Sequence, residues 1–205
     1  MKKICNALLL AVSMFVVSCA YEDPFLGNNI ERSEKENRRN IDAFINTLTD
    51  GCLLQWNAYV KEPDGKWEFE DYGEVTGVPS MSYIMLDEHT LLGMCQNIRG
   101  ADDDTPVYPY AFVKYDISYN YSSGVIITTS ICEDGSLGET YSCNLYRSKD
   151  GVFVCDGQLG GNERYASTPT GMVKLDVRWC FEPRDYRAEI VERYEQYEQW
   201  LSENR

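Results

Sequence analysis

Few residues in this chain combine the type and spacing that chemistry demands. The one histidine, His89, stands in Asp87-Glu88-His89-Thr90 between two strand-like runs. A Ser–His or Cys–His nucleophile would have to use it, with a carboxylate orienting the ring. Nothing beside it resembles a nucleophile elbow, so a solvated turn residue is expected. Asp102, Asp103 and Asp104 can offer oxygen ligands to Ca²⁺, but the twelve-residue calcium loop with its terminal Glu is missing. A solvated acidic loop, at most a weak Ca²⁺ site, is expected there. Glycoside hydrolysis needs two carboxylates across a cleft, and among 33 acidic residues the sequence singles out no pair. Gly157-Gln158-Leu159-Gly160-Gly161-Asn162 is glycine-rich but opens neither a Walker nor a Rossmann pattern, so it reads as a loop. No catalytic residue, metal centre or cofactor is expected.

Cysteine is the next reactive type. Cys52, Cys95, Cys132, Cys143, Cys155 and Cys180 are widely spaced, without CxxC and without a Cys/His cluster, which argues against zinc. Two readings stay open: disulfides of unspecified pairing, or small buried thiols. Aromatic residues are more suggestive. Trp56, Trp67, Tyr83, Tyr115, Tyr119, Tyr121, Tyr141 and Trp179 fall mostly on strand faces assigned inward. They either fill a core or line a cavity whose hydroxyls orient a ligand. Tyr108 and Tyr110, flanking Pro109, stand where a strand begins, as exposed tyrosines or as a rim on which a sugar or peptide stacks.

The elements that position these residues follow from periodicity. Ser33-Glu34-Lys35-Glu36 is a capping box, and Ile41, Phe44, Ile45 and Leu48 then recur on one helical face until Asp50-Gly51. Gly51 is expected to end that helix in the left-handed conformation. Alternation with period two follows: Leu54, Trp56, Ala58, Val60; Trp67, Phe69; Met81, Tyr83, Met85; Val113, Tyr115, Ile117, Tyr119; Val125, Ile127, Thr129, Ile131; Tyr141, Cys143, Leu145; Val152 to Cys155; and Val173, Leu175, Val177, Trp179, Phe181. Pro63-Asp64-Gly65, Glu133-Asp134-Gly135 and Lys149-Asp150-Gly151 supply hairpin turns. Tyr186, Ile190, Tyr194, Tyr197 and Leu201 mark a terminal amphipathic helix. About eight or nine strands around one core imply an all-β, antiparallel barrel or, alternatively, a two-sheet sandwich.

The formal net charge of −14 grows by two more when Lys2 and Lys3 leave with a leader. Such a surface repels phosphate backbones, so nucleic acid is not expected as a partner. At the N-terminus, Lys2-Lys3, an apolar run from Leu8 to Val17, and Val16-Val17-Ser18-Cys19 resemble a bacterial lipoprotein signal with its lipobox. That resemblance implies cleavage after residue 18, lipidation of Cys19, a polar tether over residues 19–32 and one folded domain over 33–205. It also implies an outer-membrane anchor. Ala20-Tyr21-Glu22-Asp23 resembles the acidic export signal of Bacteroidetes lipoproteins, with surface and periplasmic exposure both open.

Lipid cysteine, tether, N-terminal helix, a Trp in the first strand, hairpin-linked strands and a closing helix together resemble the lipocalin-like (calycin-like) lipoproteins of Bacteroidetes. Gly51 and Trp56 are too far apart for the Gly-x-Trp signature of that first strand. The resemblance implies an eight-stranded barrel that carries a ligand rather than an enzyme. Two functions are expected to compete: capture of a small apolar or glycan-like ligand at the barrel mouth or an aromatic rim through Trp56, Trp67, Tyr83, Tyr115, Tyr119, Tyr141 and Trp179, or docking of the terminal helix or the tyrosine-rich surface onto another envelope protein. A carboxylate hydrolase is the third.

Overall fold

The computed structural model describes residues 32–71, 80–96, 108–148, 151–160 and 165–204. Cys19, the leader, nearly all of the tether and Asp102, Asp103 and Asp104 lie outside the described residues. Helix α1 spans Glu34–Asp50, and Ser33 caps it, its hydroxyl accepting from the Glu36 N–H at 3.3 Å. Glu34 and Glu36 place negative charge in the first turn, where the helix dipole favours it. Ile41, Phe44 and Leu48 are buried along one face, as their spacing predicts.

Strands β1 (Cys52–Lys61), β3 (Met81–Met85), β4 (Thr90–Gln96), β5 (Tyr110–Asn120), β6 (Val125–Ile131), β7 (Leu137–Arg147), β8 (Phe153–Gly157) and β11 (Asp176–Arg184) form a closed eight-strand antiparallel barrel, sealed by pairing of β11 with β1. The fold is therefore all-β and lipocalin-like. Strand β2 (Trp67–Asp71) pairs with β1 outside the barrel, and β9 (Tyr165–Thr168) with β10 (Gly171–Lys174) makes a separate hairpin. The Asp-Gly turns take the backbone they signal: Gly65 and Gly135 have φ of 87° and 80°.

Helix α1 closes one barrel end. Phe44 meets Phe153 and Phe181 edge-on, at centroid distances of 5.4 and 6.2 Å, and Asn37 donates to the Ser122 carbonyl of the β5–β6 turn at 3.1 Å. Helix α2 (Arg187–Asn204) lies on the barrel's outer face instead. There Ile190 joins Cys52, Leu54, Ile84, Leu92 and Met94 in a second apolar layer. Arg187 seats the helix start by donating to the Met85 carbonyl at 2.6 Å and the Leu48 carbonyl at 3.3 Å. This explains why β3 is buried at every position: one face looks into the lumen and the other lies under α2.

Five expectations need correction. Gly51 is not left-handed but has φ −140° and ψ −139°. Glycine is required because a Cβ would stand 2.8 Å from the Arg184 carbonyl oxygen. Leu54 and Trp56 do not share a face with Ala58 and Val60, because the register shifts between Gln55 and Asn57; the extra residue of a bulge turns the strand over. Trp67 and Phe69 point outward, Phe69 meeting Tyr59 at 5.0 Å and Trp67 lying under the Arg178 guanidinium at 4.1 Å. In β6 the buried residues are Ile126 and Thr128, the opposite phase to Val125, Ile127, Thr129 and Ile131. The run from Val173 to Phe181 is two strands, with Val173 exposed in the β9–β10 hairpin.

Candidate functional site

The lumen is the first place a barrel would hold a ligand, and it is occupied by its own side chains. Tyr83, Tyr115 and Trp179, three of the aromatic residues expected to line a cavity, pack into one cluster with Phe44, Phe153, Phe181 and Leu145. Tyr119 and Tyr141 pack against its edge. At the mouth, the chain after β8 turns inward at Gly157, where Gln158 N–H donates to the Ser142 carbonyl at 3.1 Å. Leu159 then enters the core, its carbonyl accepting from the Thr128 hydroxyl at 2.5 Å. Burial pushes the Tyr115 phenol up to about 12 and raises Tyr83 well above its ordinary value, so both stay protonated donors. Gln55, turned inward beside them, accepts from the Tyr83 hydroxyl at 3.4 Å, while its own Nε2 has no hydrogen-bond partner.

Trp56 belongs to a different place. Because of the bulge it faces outward, and with Leu54, Ser82, Met94, Gln96 and Tyr110 it forms one wall of a cleft of about 330 Å³; Tyr186, Glu189, Ile190 and Arg193 of the α2 region form the other. Strands β1, β3, β4 and β5 supply the apolar wall, their outward residues aligned by the register Leu54–Ser82–Met94. Glu189 and Arg193, one helical turn apart, bond to each other at the rim. The Arg193 guanidinium also covers the Tyr110 ring at 4.5 Å. The cleft is thus an apolar box with a few polar groups, the usual composition of a small-molecule site.

The aromatic rim is real but engaged. Tyr108 packs against Tyr110, Tyr197 and Trp200 at centroid distances of 6.4, 5.3 and 5.8 Å, and its hydroxyl donates to the Arg193 carbonyl at 3.2 Å. Tyr194 and Tyr197 pack on Phe112 at 5.3 and 5.0 Å. Beside them, the Tyr194 hydroxyl and the Lys114 ammonium hold the Glu198 carboxyl below its usual range. The helix face offered for docking therefore lies against β5. Trp67 lines neither the lumen nor the cleft.

His89 is exposed in the β3–β4 hairpin, where Asp87 Oδ1 accepts from the N–H groups of His89 and Thr90, both at 2.9 Å. In the cleft the one carboxylate is Glu189, already bound to Arg193. At the mouth Asp156 and Asp176 pair with Arg178 and Lys61, at 3.4 and 4.0 Å. All six described cysteines are free thiols, with Cys52, Cys143, Cys155 and Cys180 buried. The described residues hold no His/Cys/Asp/Glu group arranged for a metal. The sequence matches no protein-family model, no curated protein and no solved structure.

The cleft was not visible as a unit in the sequence. Its residues come from four strands and a helix, and one of them, Trp56, faces it only because of a bulge. The available signal was the pairing of Leu91-Leu92 and Ser82-Tyr83-Ile84, runs without alternation that mark strands covered on both faces.

Proposed function

We propose that this chain is an exported lipoprotein, tethered through Cys19, that holds a small apolar molecule with one polar end in the cleft between the barrel and α2, without transforming it. The leader resemblance at Val16-Val17-Ser18-Cys19 supports the tether, since several acyl chains anchor a protein durably to a membrane. One observation carries the binding site: an apolar cleft of about 330 Å³ walled by Leu54, Trp56, Met94 and Ile190, with Ser82, Gln96 and the Glu189–Arg193 pair as its polar groups. That volume stands at the lower end of ligand pockets, roughly 300–1,000 Å³.

Three features favour an apolar ligand in this cleft over the lumen, a glycan or a protein. Leu159 and the aromatic cluster fill the lumen. Arg193 covers the Tyr110 face on which a sugar ring would stack. Tyr194 and Tyr197 are spent on Phe112.

The test is a titration with N-phenyl-1-naphthylamine, a neutral dye that brightens in apolar surroundings. Ser82 is buried in the cleft wall between Leu54 and Met94, so Ser82→Phe fills the space. Saturable brightening by the native chain that Ser82→Phe abolishes, with the circular dichroism spectrum retained, is expected. Equal brightening of both proteins would overturn the cleft as the site.

A further inference from the structure

We propose that Cys143 and Cys155 are a disulfide-forming pair inside the barrel, joining β7 to β8. Of the six described cysteines, Cys52 lies in the outer layer under α2, Cys132 is exposed in the β6–β7 turn, and Cys180 alternates to the outside next to inward-facing Trp179 and Phe181. Cys95 faces inward, but on β4. Only Cys143 and Cys155 share a face on neighbouring strands: both belong to the lumen cluster, and the register sets Cys143 opposite Gly157 and Cys155 opposite Leu145.

They are diagonal neighbours, a relation that in a flat ladder leaves Cα atoms ~7–8 Å apart, slightly wide for a disulfide. Two features favour the bond. The residue directly across from Cys143 is Gly157, at φ +115°, where a Cβ would stand 3.2 Å from the Cys143 Cα; the strands are pressed together and no side chain separates the two sulfurs. The two thiols also act on each other: burial first, and then the neighbouring Cys143 thiol, push the Cys155 thiol well above its ordinary value.

The chemistry is thiol–disulfide exchange. A thiolate of one cysteine attacks a disulfide of a protein or low-molecular-weight oxidant, forming a mixed disulfide and releasing one thiol; the second cysteine then attacks, closing the Cys143–Cys155 bond and releasing the other. The two protein thiols are oxidised and the oxidant's disulfide is reduced to two thiols. Because both sulfurs are buried in the closed barrel, exchange belongs to folding, before β11 seals against β1. Formation in the cell rests on the exported compartment proposed above; the pairing rests on the barrel alone.

The experiment separates the two. The full chain, reduced and unfolded, is refolded in a buffer of oxidised and reduced glutathione, acid-quenched, alkylated, digested without reductant and mapped by mass spectrometry. A cross-linked Cys143–Cys155 peptide, lighter by two hydrogens than its separate halves, with Cys52, Cys95, Cys132 and Cys180 alkylated, is expected. Alkylated Cys143 and Cys155, or either one joined to another cysteine, would overturn the pairing. The same map on protein from the cell envelope of the producing bacterium reads the compartment: the bond present after refolding but missing there counts against export and leaves the pairing standing.

Discussion

Replacing Phe44 by Ala would remove the side chain by which α1 closes the barrel. Phe44 has no exposed surface and meets Phe153 and Phe181 edge-on at 5.4 and 6.2 Å, so truncation empties a volume that two rigid rings cannot collapse into. Buried Phe→Ala changes cost roughly 3–5 kcal/mol, including lost aromatic pairing. For a domain of this size each kcal/mol moves Tm by about 2–4 °C, so a drop of roughly 6–20 °C is expected. A thermal melt measures the drop, and urea unfolding followed in parallel by tryptophan fluorescence and far-ultraviolet circular dichroism measures the free energy, with Phe69→Ala as the control. Phe69 is 51% exposed, and its loss should change stability by no more than about 0.5 kcal/mol. If Phe44→Ala cost less than about 1 kcal/mol, or no more than Phe69→Ala, α1 would not be part of the lumen core and the barrel end would be open.

Gln55→Leu combined with Tyr83→Phe should raise stability by about 1 kcal/mol in thermal and urea melts, because the pair removes a buried Nε2 that has no partner together with the hydroxyl that donates to the same amide; a loss of stability would show that the amide is satisfied. Gly51→Ala should cost about 1–3 kcal/mol, since its Cβ would stand 2.8 Å from a backbone oxygen that cannot yield, and an unchanged melt would contradict that contact. The Tyr115 phenol, raised by burial from 10.0 to about 12, ionises more readily in the unfolded chain than in the folded one, so stability is retained below pH 10 and falls as pH rises towards 12. Tyr115→Phe should make that alkaline decline shallower in melts across the range, and an identical decline would remove Tyr115 as its source.

Legibility differed sharply between elements. Helix α1 was readable because its cap, its apolar stripe and its Asp-Gly end agree, and β5 because Val113, Tyr115, Ile117 and Tyr119 alternate with Lys114, Asp116 and Ser118. β6 was readable as a strand but not as a face: in Val125-Ile126-Ile127-Thr128-Thr129 every residue is β-branched, so no contrast marks which side is wet. β1 misled because a bulge leaves no mark in a list of apolar residues, and it moved Trp56 from the lumen to the cleft. Trp67 misled because an indole can lie outside under an arginine as well as inside among apolar groups. For the site, the sequence named Trp56 and Tyr110 and foresaw α2, yet the cleft exists only where the barrel's outer face meets that helix.

The claim that the cleft carries a ligand is tested most directly by native mass spectrometry of the full chain, purified from the producing cells without delipidation and compared with the same sample denatured. A reproducible small mass that disappears on denaturation, is absent from Ser82→Phe and is kept in Gln55→Leu, whose change lies in the lumen, is expected. A bare protein mass in the native chain, or a bound mass that survives Ser82→Phe, would contradict it.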